Sequence, residues 1–237
     1  MKNAQANPVR IEGEIPYWTT LAGRRRVLRR VSFLREFGGI EKGRRVLEVG
    51  CGVGTFTEKL TEEGVSFTAI DILPDFVQKT HRRTDHRAQC VIADAMATPF
   101  LGEGFDVVVG SSILHHLDVD KALREFWRVL RPGGRLALAE PNMLNPQIFV
   151  MKNVPAVKRW MGEDPDETAF VRWILARALR RIGFKEVRIF PYDYLHPSTP
   201  SLFIPVVESI GKWFERIPVL REFAGSLMII ATKPESS

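Results

Sequence analysis

The sequence predicts an α/β fold built on a doubly wound, mostly parallel sheet. Five short apolar runs recur along the chain with helical patterns between them, at residues 45–49, 66–70, 89–93, 105–110 and 134–140. Strands that alternate with helices favour parallel pairing through right-handed crossovers. The chain has 237 residues, 45% of them hydrophobic, which is enough for one domain with a substantial core.

The region before the first strand, residues 1–40, is predicted to form a helical cap. Apolar residues recur there at close to helical spacing over about 20–37. The net charge of +6 is concentrated in this part of the chain, since residues 1–45 hold 11 Lys and Arg against 4 Asp and Glu. The three arginines at 24–26 either form a solvated helix face or contact an anionic substrate, lipid headgroups or nucleic acid.

The first apolar run leads directly into three glycines at alternate positions, Gly50, Gly52 and Gly54. Glycine has no Cβ, so the backbone can turn sharply there and approach a ligand closely. The carboxyl end of a strand is also where open α/β sheets bind cofactors. Glu48 precedes the loop, and Asp71 ends the next run, where an acid can accept hydrogen bonds from ribose hydroxyls. The sequence therefore predicts a nucleotide-like cofactor.

The spacing of the glycines decides which cofactor is expected. A dinucleotide fingerprint needs a glycine where Thr55 stands, and a Walker A loop needs a following Gly-Lys-Ser/Thr. The pattern E-x-G-x-G-x-G instead resembles the first motif of class I S-adenosylmethionine-dependent methyltransferases. Four later segments agree with that family in the same order: Asp71, Ala93–Met96, Phe105–Ser111 and Leu130–Leu136.

The resemblance covers residues 44–142 strongly and implies a Rossmann-like sheet of seven strands. The last two strands, predicted at 186–194 and 226–232, form an antiparallel pair in this family. Residues 41–237 would then be the methyltransferase domain. Helical insertions on the substrate side are expected at about 143–164 and 197–225, because these connections are long.

The resemblance also implies the cofactor S-adenosyl-L-methionine and the residues that hold it. The glycine loop would contact the methionine part, Asp71 the ribose and Asp94 the adenine amino group. The cofactor-binding residues expected on this basis are Glu48, Gly50, Gly52, Gly54, Asp71, Ile72, Asp94, Ala95 and Ser111.

Two adjacent histidines after the fourth strand, His115 and His116, are the candidate catalytic residues. A histidine can take a proton from an acceptor hydroxyl near neutral pH. A structural or cofactor-side role is the alternative, because the same His-His-Leu occurs in family members with different acceptors. Glu140 ends the fifth strand and either contacts the acceptor or is a hydrogen-bonded strand-end acid. No metal is expected, since no partner acids cluster around it in sequence.

The acceptor is predicted from the two insertions. Apolar residues within 197–225 recur at about every fourth position, which indicates an amphipathic helix. That helix either packs on the sheet or, with residues 143–164, covers a pocket for an apolar acceptor drawn from a membrane surface. Tyr192, Asp193, Tyr194 and His196 either line the acceptor pocket or form a partly exposed loop.

The expected reaction is O-methylation of a hydrophobic or amphiphilic small molecule, with peripheral membrane contact left open. Methylation of RNA or protein through the basic N-terminal helix and a non-catalytic cofactor-binding role are the alternatives. Nucleic acid is not the expected partner, because Gly110-Ser111-Ser112-Ile113 stands where many N-methylating enzymes carry Asn/Asp-Pro-Pro-Tyr/Phe. Two cysteines without metal-ligand spacing and no apolar signal at the start favour a cytoplasmic location.

Overall fold

The computed structural model describes residues 16–161 and 168–235, and in these ranges the chain is organised around one sheet. The sheet has seven strands in the order β3-β2-β1-β4-β5-β7-β6. The strands are β1 Arg45–Val49, β2 Ser66–Asp71, β3 Gln89–Ile92, β4 Phe105–Ser111, β5 Leu130–Pro141, β6 Lys185–Tyr192 and β7 Ser226–Thr232.

The helices lie in the connections and in the N-terminal region. They are α1 Pro16–Thr19, α2 Leu21–Gly38, α3 Thr57–Leu60, α4 Pro74–Arg83, α5 Val119–Val129, α6 Pro146–Asn153, α7 Pro155–Met161, α8 Arg172–Ile182, α9 Ile204–Phe214 and α10 Pro218–Arg221. Among the described residues, no helix has the length and apolarity needed to cross a membrane.

Strands β1 to β5 pair in parallel, and β7 pairs antiparallel with both β5 and β6. The predicted fold class, a doubly wound and mostly parallel seven-stranded sheet with an antiparallel last pair, is therefore confirmed. Parallel pairing brings the carboxyl ends of β1, β2, β3, β4 and β5 to one edge of the sheet, which is called the cofactor edge below.

Alternate residues of the central strands supply two separate hydrophobic clusters. Val46 packs with Val31 and Leu34 of α2, whereas Leu47 packs with Phe126 of α5 on the other face. Because successive side chains of a strand point to opposite faces, this division shows that α2 and α5 cover opposite sides of the sheet. Continuous apolar strands such as β1 are the expected result of burial on both faces.

The sequence also predicts a helix over 119–130, with Asp118 as its cap, and a helix over 166–181. The Asp118 cap is confirmed, since its side chain accepts from Lys121 N–H. The helix ends at Val129, one residue before the predicted end, because Leu130 turns to extended geometry and pairs with Phe105. The helix predicted over 166–181 begins at Arg172; its first two residues lie outside the described part of the chain.

The two expected insertions contain helices. The first holds α6 and α7, and its residues 162–164 lie outside the described ranges. The second holds a 3₁₀ turn at Ser201–Phe203 followed by α9 and α10. The described part of the predicted N-terminal cap consists of α1 and α2, and residues 1–15 fall outside the description.

Candidate active site

The glycine loop between β1 and α3 is fixed to the sheet through its own backbone. Cys51 N–H donates to Ile70 O at 2.9 Å, and Gly54 N–H donates to Cys51 O at 3.0 Å. Gly50, Gly52 and Gly54 have φ angles of 70°, 53° and 80°, in the left-handed region that glycine enters without steric cost. The sharp turn predicted from the sequence is therefore present.

The three glycines differ in their surroundings. A Cβ on Gly50 would lie 2.6 Å from Ile113 Cδ1, and a Cβ on Gly54 would lie 3.0 Å from Thr80 Cα. A Cβ on Gly52 would meet nothing within 4 Å. Gly50 and Gly54 thus allow the loop to pack closely on protein, and Gly52 is the position where a ligand can approach the backbone.

Asp71 ends β2 beside this loop. Its Oδ2 accepts from Gly52 N–H at 2.9 Å, and its Oδ1 accepts from Leu73 N–H at 3.0 Å. Burial raises the pKa of the carboxyl, and the backbone donors offset only part of that rise. A carboxylate has about four lone-pair sites, so each oxygen retains capacity for a ribose hydroxyl.

The residues expected around the adenine follow along the same edge. Ala93 N–H donates to Asp71 O at 3.0 Å, which joins the ends of β2 and β3. Ile72 presents an exposed apolar side chain next to Asp71. Asp94 Oδ1 accepts a backbone N–H two residues further on at 2.8 Å, and Ala95 is buried inside this turn. The residues that the sequence assigns to the adenine therefore follow the ends of β2 and β3, which this backbone bond joins.

Glu48 is buried at the base of the glycine loop. Within the described residues its Oε2 makes no hydrogen bond of ordinary geometry, and the same holds for Thr57 Oγ1 nearby. Burial raises the pKa of the Glu48 carboxyl to about 8; the Thr57 hydroxyl opposes this rise and the charge of Asp71 adds to it. At neutral pH the carboxyl is therefore mostly protonated, as expected for a buried acid without a cationic partner.

The ends of β4 and β5 meet in a histidine–glutamate pair. His115 Nδ1 lies 2.7 Å from Glu140 Oε2, and Glu140 Oε1 accepts from Ile113 N–H and Leu114 N–H at 2.9 and 2.8 Å. Burial raises the pKa of Glu140, but His115 and the two backbone donors outweigh it and hold that pKa below its usual value. An ionised Glu140 places the proton of a neutral His115 on Nδ1 and leaves Nε2 as the basic nitrogen.

The structure distinguishes the two adjacent histidines. His115 is buried against Glu140, whereas His116 is exposed and its ring lies 4.0 Å from the His115 ring. Glu140, whose role the sequence leaves open, is the strand-end acid that orients His115. A single sequence cannot show this pairing, because 25 residues separate the two side chains.

Arg30 of α2 is a buried residue of this edge that the sequence pattern does not single out. Its Nη1 donates to Ser111 Oγ at 2.9 Å and to Ser112 Oγ at 3.0 Å, and its Nη2 donates to Ser226 Oγ at 3.0 Å. Ser111, expected at the cofactor, is therefore held by this guanidinium. Helical spacing is the signal that could have found it, because Arg30 stands three residues after Val27 and four before Leu34 on the buried face of α2.

Other arginines of α2 pair with acids that follow β6. The three contacts, called the α2 ion pairs below, are Arg25–Glu208 at 3.1 Å, Arg26–Asp193 at 2.6 Å and Arg29–Glu215 at 2.5 Å. Arg24 and Arg25 are exposed, as expected of a solvated helix face, and the α2 ion pairs also attach the segment after β6 to the helical cap.

The residues after β6 form an irregular segment in which Tyr194 and His196 are partly exposed, and this segment contributes to the same attachment. Tyr192 is the last residue of β6 and is buried. The Tyr194 hydroxyl donates to Leu220 O, and His196 Nε2 lies 2.8 Å from Gln147 Nε2. This last contact connects the second insertion with α6 of the first.

The second insertion turns its apolar side outward. Ile204 and Gly211 are the buried residues of α9. The amphipathic helix is confirmed, but packing of its apolar side on the sheet is wrong, because the charged side faces α2 through Glu208 and Glu215. The exposed apolar residues on or just before α9 are Leu202, Phe203, Val206, Ile210 and Trp213.

Comparison with known proteins identifies the family. Residues 47–138 match a family model described as a methyltransferase domain. A demethylmenaquinone methyltransferase of Corynebacterium urealyticum is 32% identical over 165 residues, which cover 61% of this chain and 69% of that protein. The chain belongs to the class I S-adenosylmethionine-dependent methyltransferases.

Two further relatives of this methyltransferase illustrate the breadth of the family. The 27-O-demethylrifamycin SV methyltransferase of Amycolatopsis mediterranei is 38% identical over 108 residues, which cover 43% of this chain and only 40% of that enzyme. The structure of an S-adenosylmethionine-dependent methyltransferase from Thermotoga maritima superimposes with a TM-score of 0.67 at 18% identity, covering 91% of this chain and 92% of that one. The second likeness supports the fold.

S-adenosylmethionine is the cofactor of this methyltransferase family, and the cofactor edge has features that suit it. Gly52 offers open space beside its backbone, Asp71 retains lone pairs, and Ile72 exposes an apolar side chain. The structure brings the predicted residues of β1, β2 and β3 to one edge and places His115 at the end of the adjacent β4.

Proposed function

We propose that this methyltransferase transfers a methyl group to an oxygen atom of a hydrophobic or amphiphilic small molecule. The observation that carries the proposal is the His115–Glu140 pair at the cofactor edge. An imidazole oriented by a carboxylate can accept the proton of an acceptor hydroxyl as the new bond to carbon forms. The cofactor supplies an activated methyl group on a sulfonium, so alignment of the acceptor provides much of the remaining acceleration.

The cofactor would lie across the ends of β1, β2 and β3. In this proposal the backbone at Gly52 faces the methionine part, Asp71 accepts from the ribose hydroxyls, Ile72 and Ala95 contact the adenine ring, and Asp94 accepts from the adenine amino group. Gly50 and Gly54 act by shaping the loop, and direct contacts of Glu48 and Ser111 with the cofactor stay predictions.

Calorimetric titration tests the cofactor site. Replacing Asp71 by Ala removes an acceptor of charge-assisted hydrogen bonds, so S-adenosylmethionine should bind about tenfold or more weakly. Asp75→Ala is the matched control, because Asp75 is an exposed acid in the first turn of α4. Equal affinities of the Asp71 variant and the wild type would remove Asp71 from the site.

The pH dependence of turnover tests the general base. His115→Gln should lower turnover and remove the acidic limb of the pH–rate profile, because protonation of this residue then no longer limits the rate. His116→Gln should leave that limb in place, since Glu140 orients the ring of His115. A His115 variant with normal turnover at every pH would reduce the proposal to positioning alone.

The apolar character of the acceptor is supported by the surfaces of the two insertions. Phe149 and Val150 of α6 are exposed, as is the apolar side of α9. We propose that these surfaces contact a membrane from which the acceptor is drawn, with exposed Lys212 and Arg216 beside anionic headgroups. Flotation with vesicles of phosphatidylcholine and phosphatidylglycerol at low salt should carry the wild type upward and leave Trp213→Glu behind.

Methylation of RNA or protein is the second candidate, and the α2 ion pairs argue against it. Arg25 and Arg26 of the basic run are engaged by acids of the same chain, which reduces the positive surface available to a polyanion. Incubation with labelled S-adenosylmethionine and separate lipid, small-molecule, RNA and protein fractions distinguishes the candidates. Label in the RNA or protein fraction would overturn the small-molecule proposal.

A further inference from the structure

Arg30 is a buried cation whose hydrogen bonds reach only neutral hydroxyls. The residue is 3% exposed, and its three partners are the serine side chains at 111, 112 and 226. Throughout residues 16–161 and 168–235, no carboxylate forms an ion pair with it. A guanidinium carries five N–H donors, so two remain after these three bonds, which is the number that bidentate binding of a carboxylate needs.

Neighbouring arginines of the same helix pair with carboxylates, as partly buried cations usually do. Arg26 and Arg29 are less buried than Arg30, yet each has a carboxylate, at 2.6 Å and 2.5 Å. Asp193, which follows β6, already forms its ion pair with Arg26. Removing a charge from water is costly unless an opposite charge or a full set of hydrogen bonds compensates it. Among the residues that the structure describes, Arg30 therefore has no anion to compensate the burial of its charge.

A second buried polar group lies beside Arg30. Within the described residues the Tyr192 hydroxyl makes no hydrogen bond of ordinary geometry although it is buried. Burial raises the pKa of this phenol, and the neighbouring guanidinium offsets only part of the rise. The hydroxyl is thus a neutral donor without an acceptor, and most buried polar groups of native proteins do have partners.

The position of Arg30 relates it to the ligands of the methyltransferase. Ser111 ends β4 and Ser226 begins β7, so the guanidinium lies over the half of the sheet beyond the glycine loop. On its other side, the guanidinium carbon lies 5.0 Å from the Trp18 ring centre and 5.9 Å from that of Phe56, which follows the loop. Arg30 therefore lies between the cofactor loop and the strands on the acceptor side.

We infer that Arg30 and Tyr192 bind a carboxylate or acidic phenol oxyanion of a ligand. The position of Arg30 over β4 and β7 favours the acceptor as the ligand that carries this oxyanion, in which case the polar end of the acceptor would be anionic. The methionine carboxylate of the cofactor is the other group with the same chemistry. This inference rests on the proposed function and narrows its substrate class from an amphiphilic molecule to an acidic one.

Calorimetry with matched probes tests the acceptor source. The probes are 2-naphthoate and its neutral amide 2-naphthamide, titrated into full-length protein saturated with S-adenosylhomocysteine. The wild type should bind the anion more tightly than the amide. Arg30→Met should weaken the binding of naphthoate by about tenfold or more and change the binding of naphthamide little. Tyr192→Phe should reduce the same preference, and Arg30→Lys should keep part of it. Arg24→Met, at an exposed position of α2, is the control.

A parallel titration tests the cofactor source. S-adenosylhomocysteine carries the amino-acid carboxylate, and 5′-methylthioadenosine lacks it. If Arg30 binds that carboxylate, Arg30→Met should weaken the binding of S-adenosylhomocysteine by about tenfold and leave the affinity for methylthioadenosine unchanged. Either arm with this dependence on Arg30 supports an oxyanion receptor and identifies which ligand supplies the anion.

The inference is overturned if neither arm depends on Arg30 or Tyr192 in variants whose circular dichroism and thermal unfolding show a folded protein. It is equally overturned if the wild type has no preference for naphthoate and the cofactor arm is negative. Arg30 would then be a structural tie between β4 and β7. Because these titrations measure binding and not turnover, methylation of a neutral acceptor would survive such a result.

Discussion

The cofactor edge and the second insertion use side chains in opposite ways. The cofactor edge buries polar groups such as Glu140, which is 0% exposed and is bonded to His115 and two backbone N–H groups. In the second insertion apolar groups are exposed, as in Trp213, which is 56% exposed. The contrast separates residues that maintain the fold from residues that are free to meet a ligand or a surface.

The largest expected effect lies at the cofactor edge. Glu140→Ala leaves His115 and the N–H groups of Ile113 and Leu114 without their acceptor in a buried place. Breaking a buried, charge-assisted pair in this way should lower the free energy of unfolding by about 3–5 kcal/mol. Urea denaturation measures this change, and Glu140→Gln, which keeps an acceptor oxygen, should lose less. Equal losses would show that charge, and not hydrogen bonding, dominates the pair.

The glycine loop provides a matched pair of substitutions. Gly50→Ala combines a positive φ with a Cβ 2.6 Å from Ile113 Cδ1, so the free energy of unfolding should fall by about 2–4 kcal/mol. Gly52→Ala has the strain without the clash and should cost about 1–2 kcal/mol. The main effect of Gly52→Ala should be weaker cofactor binding. Thermal unfolding and calorimetry together reveal whether the two roles are divided as the structure indicates.

The pH dependence of stability tests the burial of Glu48. Its folded pKa of about 8 lies above the ordinary value of 4.5, so between these pH values the folded state keeps a proton that the unfolded chain releases. Wild-type stability should therefore fall relative to Glu48→Gln as pH rises from 5 to 8, by at most about 1.4 kcal/mol per pH unit. Urea titrations of both proteins without cofactor measure the difference, and parallel curves would place the Glu48 pKa near normal.

The smallest effect is expected at the second insertion. Trp213→Ala removes a large but mostly exposed side chain, so the free energy of unfolding should change by no more than about 0.5 kcal/mol. Ile204→Ala, from the buried side of the same helix, should cost about 2–5 kcal/mol. A costly Trp213 variant would show that the outward face of α9 is part of the core.

The division also explains how far the sequence predicts the molecule. The sheet, the glycine loop and the position of Asp71 follow from local patterns, because strand periodicity and glycine spacing are encoded within a few residues. The partner of His115 and the serine partners of Arg30 depend on contacts across 25 and 81 residues or more, which a single sequence does not show. The sequence does not decide which side of α9 faces outward, for a similar reason. Amphipathicity shows that a helix has two sides, but the α2 ion pairs decide which side faces the protein.

The α2 ion pairs separate the stability of the fold from the residues on the outer side of α9. Because α9 adds little more than Ile204 and Gly211 to the buried interior, its outer residues can be exchanged at small cost in folding free energy. Marginally stable proteins tolerate only a few destabilising substitutions before function is lost. On the proposed function, in which the outer side of α9 serves the acceptor, such a methyltransferase would change that surface many times and still retain the same cofactor edge.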